Sequence, residues 1–184
     1  MLRWLGYLTG LAVVGALLVV GAVLWVFWEF GRDLPDYTQL ADYEPPVTTR
    51  VHAGDGSLLA EYAVQRRVFV PVSSMPTLVK EAFLSAEDKN FYKHPGVDVM
   101  GVMGSGRRPE GASTITQQVA QNFLLTKEVS IDRKVREAIL SFRMERAFSK
   151  EEILELYLNE IYLGFGAYGV ASAALNYFGK PLDQ

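Results

Sequence analysis

From Trp4 to Trp28 the chain runs for 25 residues without a charge. As a helix that stretch would rise roughly 37 Å and cross a bilayer with some tilt. Aromatics stand at both ends, Trp4 and Tyr7 on one side and Trp25, Phe27 and Trp28 on the other, where amphipathic rings favour the headgroup level. A cleavable signal peptide is the competing reading. Its apolar core is normally about 7 to 15 residues, however, and no small-x-small cleavage pattern precedes Glu29. Positive charge on the short side comes from Arg3 and the terminal amine, which favours a cytoplasmic N-terminus with the remainder of the chain outside. The expected organisation is a short cytoplasmic end over 1–3, a transmembrane helix over 4–28, a juxtamembrane linker over 29–46 and one folded domain over 47–184. Gly31, Pro35, Pro45 and Pro46 mark the linker.

Composition narrows what that domain can do. A net charge of −3 over 184 residues leaves no basic surplus to neutralise phosphates, which argues against nucleic acid as a partner. The absence of cysteine removes disulfides, zinc-thiolate centres and thiol nucleophiles together.

Outside the apolar run the periodicity changes twice. Thr48 to Val51 and Leu58 to Tyr62 flank the turn-forming Gly54, Asp55 and Gly56, which predicts a β-hairpin, and Arg67 to Val72 reads as a third strand. From Pro76 onward the signals are helical, with Pro76 placed to begin the first turn. Ser113 is the expected cap of a helix with Ile115, Val119, Phe123 and Leu124 on its apolar side. Ser130 is the expected cap of another, with Ile131, Val135, Ala138, Ile139 and Phe142 on one stripe. Ser149 and Glu152 form a capping box for a third, which Gly164 can end, and a last helix from about Gly169 to Phe178 closes at Gly179. The outer region is therefore mainly α with a small β-hairpin element near the membrane.

Three constellations can carry chemistry. Glu87, Asp88, Phe91, His94 and Gly96 read E-D-x-x-F-x-x-H-x-G. An acidic pair beside an aromatic lets one carboxylate be desolvated while its neighbour stays ionised, as acid–base work requires. The same residues also suit a helix end with solvated acids, a core phenylalanine and a histidine bonded to a carbonyl. Their spacing matches no common metal-ligand pattern. Next, Gly111 and Ala112 lead into Ser113, Thr114, Ile115, Thr116, Gln117 and Gln118. This hydroxyl-rich helix start can receive a phosphate or sugar hydroxyl, or can simply be well capped. Finally, Arg133, Lys134 and Glu137 fall within about 100° of helical arc, facing away from the apolar stripe. Two cations and an acid there suit a pyrophosphate, or an ordinary solvated ion pair.

Taken in order, these three blocks and K-x-x-I-L-x-x-Y-L-N from Lys150 to Asn159 resemble the motif set of glycosyltransferase family 51, the peptidoglycan glycosyltransferases. The closing Gly164, Gly166, Gly169, Ala173, Tyr177, Phe178 and Gly179 resemble that family's fifth block. The resemblance covers roughly 47–184. It implies a lysozyme-like, mainly helical domain against the outer leaflet, with lipid II and the growing glycan strand as substrates, membrane lipid as neighbour and a cell-wall synthesis complex as setting. By that resemblance Glu87 is the general base on the acceptor 4-hydroxyl. Arg133 and Lys134 stabilise the departing undecaprenyl pyrophosphate, and Glu137 orients them or holds a divalent cation such as magnesium. Asp88, Phe91, Ser113, Thr114, Gln117 and Gln118 complete the substrate cleft. No cofactor is required by the sequence, and Tyr157 and Asn159 read as structural.

Two departures from the family pattern stand out. The stretch between Gly101 and Gly111 is short for a member, and the chain stops soon after Lys180, Pro181 and Leu182 without the S-x-x-K, S-x-N or K-T-G set of a transpeptidase. The expectation is a fragment, truncated at its C-terminus, of a longer protein. Gly106, Arg107, Arg108 and Pro109 ahead of the second motif favour a class A penicillin-binding protein. The rivals are a membrane-tethered lysozyme-like glycan-cleaving enzyme and a non-catalytic membrane-anchored scaffold.

Overall fold

The computed structural model describes residues 2–40, 49–62, 66–99, 101, 113–125 and 130–184. The expected linker end at Pro45 and Pro46, the Gly106–Pro109 stretch, and Gly111 and Ala112 of the second motif lie outside the described residues.

The first helix, α1 (Leu2–Gly31), contains the whole uncharged run. Its side chains described from Gly6 to Trp25 are exposed, as a bilayer-facing helix requires, and burial begins only in its last turns. Among the described residues it is the one helix long and apolar enough to cross a membrane. Past it come β1 (Thr49–His52) and β2 (Leu58–Tyr62), paired antiparallel with Arg50 opposite Glu61, so the expected hairpin forms. Gly56 takes a φ of +84° at its turn.

The expected third strand shrinks to β3 (Arg66–Arg67), which pairs parallel with β4 (Ala167–Tyr168). The reason lies in where its backbone donors go. The alternate N–H groups of Val68, Val70 and Val72 bond the side chains of Ser172, Asn159 and Glu155 at 2.9, 2.9 and 2.7 Å. The segment is extended, but helices satisfy it, and Val72–Ser74 then closes into a 3-10 turn.

Four of the five outer helices build the core. α2 (Thr77–Glu87) starts after Pro76, which caps it from outside instead of occupying its first turn. α3 (Ile115–Leu124), α4 (Ile131–Ala147) and α5 (Lys150–Glu160) pack together, with α3 touching both of the others. Ile115, Val119, Leu140, Met144, Ile153, Leu154, Tyr157 and Leu158 are almost wholly removed from solvent. Each such side chain contributes on the order of 2 kcal/mol of burial. α6 (Val170–Phe178) closes on Gly179, whose left-handed conformation ends it as expected.

Three local expectations need correction. Thr114, not Ser113, caps α3: its hydroxyl accepts from Gln117 N, and the Gln117 side chain returns to Thr114 N. α5 ends at Glu160 with Ile161 as C-cap, so Gly164 belongs to the following loop. The apolar stripe of α4 is also not its most buried face. Ile131 is 83% exposed, whereas Glu137, Leu140, Ser141 and Met144 are buried at i, i+3, i+4 and i+7. α4 has two covered sides, one against α3 and one against the end of α1. A single moment in the sequence could not display both.

Candidate active site

The turn after α2 separates two adjacent carboxylates. Glu87 closes the helix and is exposed; Asp88 is its C-cap and is buried. The sequence reading expected one of the pair to be desolvated, and it is Asp88.

Asp88 accepts from Ile115 N at 3.0 Å and faces His94 Nε2 at 3.0 Å. His94 Nδ1 accepts the Gly96 N–H at 3.2 Å. An amide N–H can only donate, so the ring proton sits on Nε2 and points at Asp88. His94 therefore bonds a carboxylate where a carbonyl was expected. Gly96 itself has a φ of +104°, and a Cβ there would lie 2.9 Å from the Ser141 backbone, so only glycine fits. Its carbonyl accepts the Thr114 hydroxyl. The first motif and the start of α3 are thereby locked into one knot.

Several residues assigned to the cleft serve that knot instead. Phe91 is 1% exposed, with Lys150 Nζ 4.3 Å from its ring centroid and His94 on its edge, so no face of the ring is open. Thr114 and Gln117 are buried and engaged in the capping box. Thr116 donates to Glu145 at 2.6 Å, and Lys150 Nζ bonds the same Glu145 oxygen at 2.6 Å.

The open groups gather on the other side of α3. Gln118 Nε2 donates to Glu87 Oε2 at 2.9 Å. Lys134 Nζ donates to Ser113 Oγ at 2.6 Å and also to Glu137 Oε1. Ser113 and Gln118 are five residues apart, on the order of 7 Å of helical rise, so the start of α3 ties the Glu87 carboxylate to the α4 cluster. Lys134 has 47% of its side chain exposed while Glu137 has none. The expected solvated face is thus a cation standing over a buried acid.

Polar atoms in this half of the molecule are left over. Among the described residues, Arg133 Nε, Glu137 Oε2 and Tyr157 Oη are the buried side-chain nitrogen and oxygen atoms without a hydrogen-bond partner. Buried polar groups are normally paired, because an orphan costs about 1 to 3 kcal/mol. Two of the three lie in the R-K-x-x-E motif. The third belongs to Tyr157, whose phenol is pushed well above its usual range, first by burial and then by the nearby charge of Glu87. The Tyr157 ring packs edge-on to Phe83 at 6.2 Å. Its helical spacing suggested packing alone, and only the fold shows its hydroxyl buried without a partner. Asn159, by contrast, spends its amide on Val70 and Glu155.

The arrangement offers an accessible carboxylate at Gln118 for a proton and, at the other end of the segment from Ser113 to Gln118, a lysine for an anion. A divalent cation would find less. No three His, Cys, Asp or Glu side chains come together among the described residues, and Glu137 already neighbours Lys134. A cation there would need the ligand's own phosphate oxygens to complete its shell.

Residues 55–184 match the transglycosylase family model. Penicillin-binding protein 1A of Rickettsia felis is 53% identical over 186 residues, covering 95% of this chain and 24% of the relative. The Rickettsia bellii protein of the same name is 55% identical over 174 residues, covering 89% and 22%. That of Escherichia coli is 41% identical over 190 residues, covering 100% and 22%. The chain spans about a quarter of the length of these relatives. With the family model matching most of its length, the chain belongs to the transglycosylase family, the peptidoglycan glycosyltransferases whose motif order its sequence follows.

Proposed function

We propose that this chain extends glycan strands from lipid II by inverting displacement, with Glu87 as general base. Glu87 takes the proton of the acceptor 4-hydroxyl while that oxygen attacks the donor's anomeric carbon. The bond from this carbon to the undecaprenyl pyrophosphate oxygen breaks, and the leaving group carries away the electron pair. Lys134 and Arg133 stabilise the growing phosphate charge, and Glu137 holds Lys134 in place from beneath. Gln118 orients Glu87, Ser113 orients Lys134, and Asp88, Phe91, Thr114 and Gln117 act by holding the start of α3. If magnesium takes part, Glu137 is the carboxylate that would hold it, and it would add charge neutralisation at the pyrophosphate.

The observation that carries this reading is the open carboxylate of Glu87, bonded to Gln118 on the same helix start that receives Lys134. A glycan-cleaving enzyme has no need of the cationic half. Full-length protein incubated with lipid II should build strands, and incubated with finished glycan should leave them intact. Shortening of the finished strands would overturn the assignment.

We also read α1 as a spanning helix of the cytoplasmic membrane with its N-terminus inside, and residues from about 47 as a glycosyltransferase domain on the outer side. The polymer grows there, beside any cell-wall synthesis complex that the full protein joins. The support is length and uncharged surface. Protein should stay with the membrane through high salt and alkaline wash and leave only with detergent; release by salt would contradict this.

A further inference from the structure

Where α1 ends, its last turns lean on α4. Between them lies a half-open hollow of about 560 Å³, lined by Phe27, Trp28, Ile139, Phe142, Arg143 and Arg146. Four of these walls are apolar or aromatic, and two carry guanidinium groups. Arg143 Nη2 donates to the Gly31 carbonyl at 2.9 Å, where a Cβ on residue 31 would meet that nitrogen at 2.9 Å. The contact fixes the arginine against the membrane helix and leaves most of its five donors for another acceptor. Among the described residues neither Arg143 nor Arg146 has a carboxylate within ion-pair distance. The acids nearest the end of α1, Glu29 and Asp33, face Arg32 at 3.0 and 3.7 Å. Arg146 lies in the last turn of α4, where a cation offsets the helix dipole. That explains its charge, not its position on the wall of an apolar hollow.

The hollow is distinct from the site described above. Arg143 is nine residues beyond Lys134, on the order of 14 Å along α4, and at 100° per residue it lies on another side of the helix. We propose that this hollow binds the phosphate of an anionic glycerophospholipid, of the phosphatidylglycerol class, with the upper acyl chain against Phe27, Trp28 and Phe142. The proposal rests on the reading of α1 as a spanning helix. Trp28 then stands at headgroup level, and the apolar wall continues into the exposed surface of α1. Two guanidiniums without a counter-acid complement a lipid of net negative charge. A zwitterionic lipid would bring its own cation to the same place. A free phosphate ion would leave the aromatic wall uncovered.

The test uses the full-length protein in nanodiscs containing equal phosphatidylglycerol and phosphatidylcholine, followed by gentle detergent release and native mass spectrometry of the lipids retained. Phosphatidylglycerol should be retained over phosphatidylcholine. Arg146→Gln and Arg143→Gln should each lower its retention about tenfold, the size of one lost charge-assisted contact. Lys180→Gln, at the opposite end of the chain, should leave retention unchanged. Arg146 is exposed, so its variant should keep the wild-type melting temperature even if the Arg143 variant loses the Gly31 contact and some stability. Equal retention of the two lipids, or wild-type retention by Arg146→Gln, would overturn the proposal. So would displacement of the lipid by inorganic phosphate, which would mark a plain anion site. Failure to enter nanodiscs would overturn the spanning reading and this proposal with it, whereas entry without lipid preference overturns this one alone. Lipid retention is read without turnover, so loss of polymerase activity has no bearing on it.

Discussion

Glu87 and Asp88 share a peptide bond and almost nothing else. Asp88 is buried and saturated by Ile115 N and His94, inside a knot that Gly96 and Thr114 complete. Glu87 is exposed and accepts from the Gln118 side-chain amide. Among the described residues, Arg133, Glu137 and Tyr157 each keep one buried side-chain atom unpaired. Saturated networks hold geometry and have little left to offer a ligand. Unsaturated ones cost stability until something binds. Both kinds of residue sit within the same short motifs.

Breaking the contrast at its strongest point should have the largest effect. Glu87→Gln keeps the shape and the bond to Gln118 but removes the base, so strand synthesis from lipid II should fall about 100- to 10,000-fold with unfolding unchanged. Lys134→Ala comes next. It removes the charge above Glu137, and the rate should fall about 30- to 1000-fold, equivalent to roughly 2 to 4 kcal/mol of transition-state stabilisation. Near-normal rates in single-turnover assays would return Lys134 to an ordinary surface ion pair. On the saturated side the effect should move from rate to stability. Asp88→Ala strands the Ile115 N–H and the His94 Nε2–H in the core and should cost roughly 2 to 4 kcal/mol in urea unfolding. Ser130→Ala removes the side chain that accepts Arg133 N at the start of α4, at a cost of about 1 kcal/mol.

The smallest effect concerns pH. Glu152 is held below its ordinary value near 4.5, first by the Ser149 backbone N–H and then by the Ser149 hydroxyl. A carboxyl with a depressed folded pKa contributes stability above its unfolded value and loses it as pH falls through the folded one. Acid titration of unfolding should therefore show a slight loss below about pH 4.5, reduced but not abolished in Ser149→Ala, which keeps the backbone donor.

Local signals carried much of this into the sequence. The uncharged run, the Ser130 cap, the Ser149–Glu152 box and the Gly179 stop depend on neighbours within a few residues, and all four appear in the fold. Residues 68–72 alternate like a strand, yet their donors meet helical side chains far along the chain, which no local pattern encodes. Burial of Glu137 was equally hidden. Helical spacing places it beside Arg133 and Lys134, but α3 covers that side of α4. The motifs marked out the blocks that hold Glu87 and Lys134, whereas the burial of Phe91, Thr114 and Gln117 inside those same blocks needed the folded chain.

Rate and melting temperature measured together for the two neighbours, Glu87→Gln and Asp88→Asn, in the full-length protein with lipid II distinguish the exposed acid from the buried one. Glu87→Gln should lose at least about 100-fold in rate at an unchanged melting temperature. Asp88→Asn should lower the melting temperature by several degrees, with any surviving folded fraction still polymerising. A stable but inactive Asp88→Asn beside an active Glu87→Gln would contradict this and move the base to the buried acid.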